Sequence, residues 1–133
     1  MTRPLLLALA LAAPLPFTGS SALAQTQQVV IRVDGATPAP EGAVLRGLDR
    51  TNGAIQDFTL APGETLQYER LVVTLRECRY PEGNAQTEAF AFLTIRDVRS
   101  EDPAFEGWMF ASSPALSSLD HPRYDVWVLN CKI

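Results

Sequence analysis

From Ala43 onward the chain never runs more than about a dozen residues before a turn signal interrupts it, and this punctuation restricts it to short strands. Residues 44–49 lead into Asn52-Gly53, a pair that tolerates the positive φ of a tight hairpin, and residues 55–60 return. Pro62-Gly63 then offers the fixed and the permissive φ of a type II turn. Leu66 and Tyr68 alternate with polar neighbours, whereas Leu71, Val73 and Leu75 alternate in the opposite parity, so a tight turn or bulge is required at Glu69-Arg70. Residues 79–86 read as a polar loop, and 87–98 as the longest strand, covered on both sides and so central in its sheet, because apolar residues occupy both of its faces between Phe90 and Ile95. A charged surface turn, 99–104, precedes two closing strands, 105–111 and 123–131. Between these, Ser113-Pro114 pairs an N-cap residue with a proline in the first helical position, which predicts one helical turn over 114–119. With no convincing amphipathic helix and no internal repeat, the pattern is all-β: a single small antiparallel β-sandwich or barrel of about seven to eight short strands.

The first residues carry a different pattern. Arg3, an apolar run over 5–13 and then Ala22-Leu23-Ala24 read as a secretory signal peptide cleaved after Ala24, too short and proline-broken to span a bilayer. Gln25 rather than Cys follows the cleavage point, which disfavours a lipid anchor. The expected organisation is a signal peptide over 1–24, an N-terminal tail or edge strand and linker over 25–42, and a β-domain over 43–133. Within the second segment, 28–33 (QVVIRV) reads as a first strand or a tail, and 34–42 (DGATPAPEG) as a linker or edge loop. Loss of the leader removes Arg3 and no acid, leaving 10 basic residues against 15 acidic ones and a net charge of −5. An acidic chain without a Lys/Arg cluster fits neither nucleic acid nor an anionic lipid surface. Cys78 and Cys131 are the only cysteines, and an even count in an exported chain predicts one disulfide. The periplasm is the compartment this combination implies.

Candidate chemistry concentrates in 105–131, which holds both tryptophans, Met109, His121 and Cys131. A nucleophilic site would combine Ser112, Ser113, Ser117 or Ser118 with His121 and Asp120 or Asp125, since a serine needs a base and the base an orienting acid. No GxSxG elbow accompanies them, Ser113 is explained as a cap, and His121 sits in an Asp-His-Pro turn. Asp97, Glu101, Asp102 and Glu106 lack the alternation and glycine of a calcium loop and read as a solvated turn, so no metal and no cofactor is expected. Trp108, Met109, Phe110 and Trp127 would serve a core, or an interaction surface if one face of the group were left exposed.

The order of pieces, LRGLDRTNG, PGET, a strand ending in Cys78, AFLTIRDV and GWMFASSPALSSLDHPRYDVWVLNC, resembles the bacterial exported family termed domain of unknown function 2155 over about 44–131. The resemblance implies a small periplasmic domain of alphaproteobacterial type with paired cysteines, and it carries no catalytic residue across. The expectation is therefore a non-enzymatic binding or accessory protein that meets another envelope protein through 107–124, with Trp108, Met109, Phe110, Ser112, Ser113, His121 and Tyr124 as binding residues. Its alternative is a small hydrolase or cell-wall enzyme built on the Ser/His/Asp group near His121. A small-ligand carrier would need a cavity of several hundred Å3, on the order of 300 Å3 or more, which a mature domain this small can barely spare.

Overall fold

A computed structural model describes residues 33–83 and 88–133. The expectations for residues 1–24 and, Val33 apart, for the run 28–33 lie outside the described residues, as do positions 84–86 of the polar loop and Thr87, the first residue of the expected 87–98 strand. Among the described residues eight strands are formed: β1 Thr37–Pro38, β2 Ala43–Asp49, β3 Ala54–Leu60, β4 Thr65–Tyr68, β5 Leu71–Tyr80, β6 Phe90–Asp97, β7 Pro103–Phe110 and β8 Tyr124–Cys131. They make two antiparallel sheets. One is three-stranded in the order β3-β2-β8; in the other, β5 takes both β1 and β4 along one edge and β6 along the other, with β7 outside β6. The sheets do not close on each other, so of sandwich and barrel the molecule is a sandwich. Among the described residues no helix is long and apolar enough to cross a membrane.

The core follows from the two-residue period of the strands. Leu45 of β2, Leu60 of β3, Leu71, Val73 and Leu75 of β5, Ala91, Leu93 and Ile95 of β6, and Val126 and Val128 of β8 are all buried between the sheets. Gly47 leaves a gap in this layer that the Tyr68 ring fills; a Cβ at Gly47 would lie 2.5 Å from that ring. Tyr68 stacks on Phe58 and meets Tyr124 edge to face.

Both cysteines reach the interior only because their strands are bulged. Along β5 the inward parity of Leu71, Val73 and Leu75 would turn Cys78 outward, but Arg76 is an extra residue between the Leu75–Leu93 and Glu77–Phe92 pairs. Along β8 the parity of Tyr124, Val126 and Val128 would likewise turn Cys131 outward, and Leu129 is extra between the Leu45–Val128 and Val44–Asn130 pairs. The Cys78–Cys131 disulfide, with a Cα separation of 5.8 Å, then ties one sheet to the other.

The turns differ in detail from the sequence reading. The β2–β3 hairpin forms as expected and closes through the four residues 50–53, with Asn52-Gly53 at their end: Gly53 has φ +74, and its N–H donates to the Asp49 carbonyl. The Asp49 carboxylate accepts from the N–H and hydroxyl of Thr51, and Asn52 Oδ1 accepts from Ala54 N–H, which stabilises the longer loop. Pro62-Gly63 forms the expected turn, with Gly63 at φ +83 and Glu64 N–H on the Ala61 carbonyl. Glu69, at φ +51, makes the tight β4–β5 turn that the parity change demanded. The expected helical turn shrinks to a 3₁₀ turn, Pro114–Leu116, closed by the Leu116 N–H on the Ser113 carbonyl; Ser113 makes no side-chain cap.

Two further expectations are corrected. β6 is central as expected, but β5, at 10 residues, is longer than β6 at 8, because Arg79 and Tyr80 of the expected polar loop continue it by pairing with β1, and Arg79 with β6 as well. Among the described residues no further layer covers the outer face of β6: Phe90 packs edge to face on Phe110 and Phe92 on Trp108, with the Arg76 guanidinium over Phe92. The segment 34–42 contributes the edge strand β1, and Ala36 and Ala39 are buried.

Candidate functional site: a lateral cleft and a polar end

Register places the two ends of the sandwich. Asp49 pairs with Tyr124 and Leu71 with Asp97 at one end, whereas the disulfide and the Phe90–Phe110 pair lie toward the other. β7 and β8 both run from the first end to the second, in different sheets, so the connection 111–123 must return the whole length of the molecule along its open side. At its start the Glu88 carboxylate accepts the Ser112 N–H and hydroxyl, and Ala111 N–H extends the ladder onto Ala89. Leu119 and His121 anchor it further along, both buried.

Under this connection lies a cleft of about 390 Å3. β7 contributes Met109 and Phe110; the connection contributes Pro114, Ala115, Ser117 and Ser118; β8 contributes Asp125, Val126 and Trp127. Most of the lining is apolar, and Asp125 is its one charged side chain. Its carboxylate meets Arg50 at 3.4 Å.

The polar end is occupied by structural pairs. His121 is buried, and its Nδ1 accepts the N–H groups of both Arg123 and Tyr124 at 3.1 Å. An acceptor at Nδ1 puts the proton on Nε2, which donates to Asp97 Oδ2 at 2.8 Å. The ring is thus the cap that starts β8. None of its bonds goes to a serine. Asp97 also accepts the Arg99 N–H at 2.9 Å and the Arg70 guanidinium at 3.1 Å; the bond from His121, foremost, holds its carboxyl well below the usual range, at about 2. Asp49 is depressed still further, chiefly by the hydrogen bond from the Arg123 guanidinium. Arg70 and Arg123 both lie over the Tyr124 ring.

The expected binding residues therefore separate. Met109 and Phe110 line the cleft; Trp108 lies on the outer face of the larger sheet against Phe92; Ser112 is held by Glu88; Ser113 precedes the 3₁₀ turn; His121 and Tyr124 belong to the polar end. Ser117 and Ser118 face the cleft, while the His121 ring is committed to Asp97 and the β8 backbone, so the serine and histidine components of a triad are not brought together. Asp97 is part of that histidine pair, and among the described residues no three His, Cys, Asp or Glu side chains gather as metal ligands. Sequence reasoning held Pro114 and Ala115 within the expected contact surface 107–124 without giving them a role, weighed Asp125 only as a triad acid, and missed Val126. The only trace of the cleft there was the length of the link between two strands that end up in different sheets.

These features define a class: a small disulfide-bridged β-sandwich with an apolar cleft along one open side. The chain belongs to the family described as uncharacterized protein conserved in bacteria (DUF2155), whose model matches residues 43–131. It is also similar to an uncharacterised protein of Rickettsia prowazekii (strain Madrid E), at 26% identity over 87 residues. That match covers 63% of this chain and 56% of the relative, so the chain spans little more than half the length of the curated relative it matches. No solved structure matches the chain.

Proposed function

We propose that this protein is a non-enzymatic binding or accessory domain of the bacterial periplasm, and that it meets another envelope protein at the cleft between β7 and β8. The observation that carries this reading is the cleft itself, about 390 Å3 and mostly apolar, in a domain whose remaining apolar side chains are largely spent on one core. Export is supported by the leader pattern ending at Ala24 and by the single disulfide, which an oxidising compartment sustains. A hydrolase would need a serine hydroxyl on the His121 ring, and both ring nitrogens have other partners.

The test is site-specific photo-crosslinking in living cells, with the photoreactive residue at Ala115 on the cleft or at Ile55 on β3, which does not line it. A discrete envelope adduct from position 115, absent from position 55, is the expected result. Identical adducts from both positions, or none from 115, would remove the reading. The same material, purified from the periplasm, should have an intact mass that begins at Gln25.

A further inference from the structure

We infer that the cleft is a strand-docking groove whose occupant is an extended peptide segment of a partner protein, apolar at alternate positions and bearing a Lys or Arg. The inference rests on the binding reading above and names the chemistry of its ligand.

Three observations carry it. First, β7 pairs only with β6 and β8 only with β2, so along the cleft both strands present an edge without a ladder partner among the described residues. The connection that passes over them supplies no ladder: its backbone bonds are Ala111 to Ala89 beside β6, Arg50 to Arg123 at the polar end, Leu116 to Ser113 within itself, and one turn bond from Ser113 to the last carbonyl of β7, Phe110. Unpaired N–H and C=O groups beside an apolar groove suit an added strand, with main-chain bonds for affinity and alternate side chains for selectivity. Second, the apolar surface does not stop at the cleft. Leu116, flanked in sequence by the lining residues Ala115 and Ser117, is 60% exposed. Third, the cleft carries a negative charge that is poorly satisfied within the molecule. Asp125 is held by one contact to Arg50 at 3.4 Å and its side chain is 29% exposed, whereas Asp49 and Asp97 have charged partners at 2.9 and 3.1 Å. Trp127 follows two positions along on the same face of β8, so a carboxylate and an indole stand side by side. That pairing recognises a side-chain cation. The chain's own net charge of −4 adds a favourable long-range field for a basic segment. An acyl chain would use neither the strand edge nor Asp125.

The experiment selects a phage-displayed library of random linear peptides on the mature chain and measures the enriched peptides by fluorescence anisotropy. Enrichment of alternating apolar sequences with one Lys or Arg is expected, with at least tenfold weaker binding when that cation is changed to Glu. Asp125→Asn should erase the Lys-against-Glu discrimination while retaining binding, and Ala115→Trp should abolish binding of every peptide. N-methylation of alternate peptide amides should weaken binding at least tenfold. Both substituted side chains lie outside the core, and urea unfolding of each variant checks that the fold is intact. If Ala115→Trp abolishes binding but wild type does not prefer the cation, the peptide chemistry inferred here fails and the cleft stands as a binding site. If binding survives Ala115→Trp, the cleft reading fails as well. No enrichment at all, or Ala115-dependent binding of phosphatidylglycerol vesicles instead of peptides, overturns the inference.

Discussion

Two side chains at the polar end show how an ionisable residue can be conspicuous in sequence and structural in fact. His121 caps the start of β8 through Nδ1 and clamps the end of β6 through Nε2, so its replacement by alanine leaves the N–H groups of Arg123 and Tyr124 unpaired at once. A loss of about 1–3 kcal/mol in urea unfolding is expected for His121→Ala. Asp97 gives the acid dependence. Its folded value of about 2 lies below the ordinary ~3.9 of an unfolded aspartate, so its contribution is complete above about pH 4 and is lost as pH falls through about 2. Wild-type stability should therefore drop across that window, with Asp49 adding in the same direction. Asp97→Asn should be less stable at neutral pH and lose less on acidification, as read from unfolding midpoints between pH 5 and 2. Gly47 is constrained by contact rather than by conformation. Gly47→Ala drives a methyl group into the Tyr68 ring, at a cost of about 1–3 kcal/mol, and Tyr68→Leu in the same chain should recover part of that loss.

At the scale of elements, the bulges at Arg76 and Leu129 decide whether the two sheets can be joined. Deletion of Arg76 restores simple alternation along β5 and points Cys78 away from Cys131. The expected result is two free thiols by quantitative thiol titration, against none in wild type. The same bulges mark where the sequence stops being legible. Strands β2 to β8 were readable because alternation and turn residues are local signals: Pro62-Gly63 and the parity change at Glu69-Arg70 each announce a turn. A bulge has no such residue signature. It is visible only as a conflict between the parity of Leu71, Val73 and Leu75 and the inward position of Cys78, and that conflict requires knowing the disulfide faces the core. The site was less legible than the fold for a related reason. Met109 and Phe110 were identified as binding residues, but the cleft they share with Asp125 and Trp127 exists because β7 and β8 fall in different sheets. Which strands pair is a long-range outcome, and aromatic content alone gathered Trp108 with Trp127 although they serve different surfaces.

For the whole molecule, the disulfide joins β5 to β8 and so holds together two sheets that share no backbone ladder. Across a sequence separation of 53 residues, the loop-entropy model assigns it about 4 kcal/mol, against a typical total of roughly 5–15 kcal/mol for a domain. The double replacement Cys78→Ser with Cys131→Ser should lower the unfolding free energy by about 2–5 kcal/mol. It should also raise the urea m-value, because an unfolded chain without the cross-link exposes more surface. Location enters through the same bond. Chains beginning at Gln25 and synthesised in a reducing cytosol should resemble the double serine variant in stability, and chains exported with residues 1–24 should resemble the oxidised protein. Unfolding curves of the two preparations, each measured without added reductant and after thiol blocking, make the comparison direct. Equal stability with the cysteines reduced would mean that inter-sheet packing of Leu45, Leu75, Leu93 and Val128 suffices by itself. The need for an oxidising compartment would then lose its physical basis.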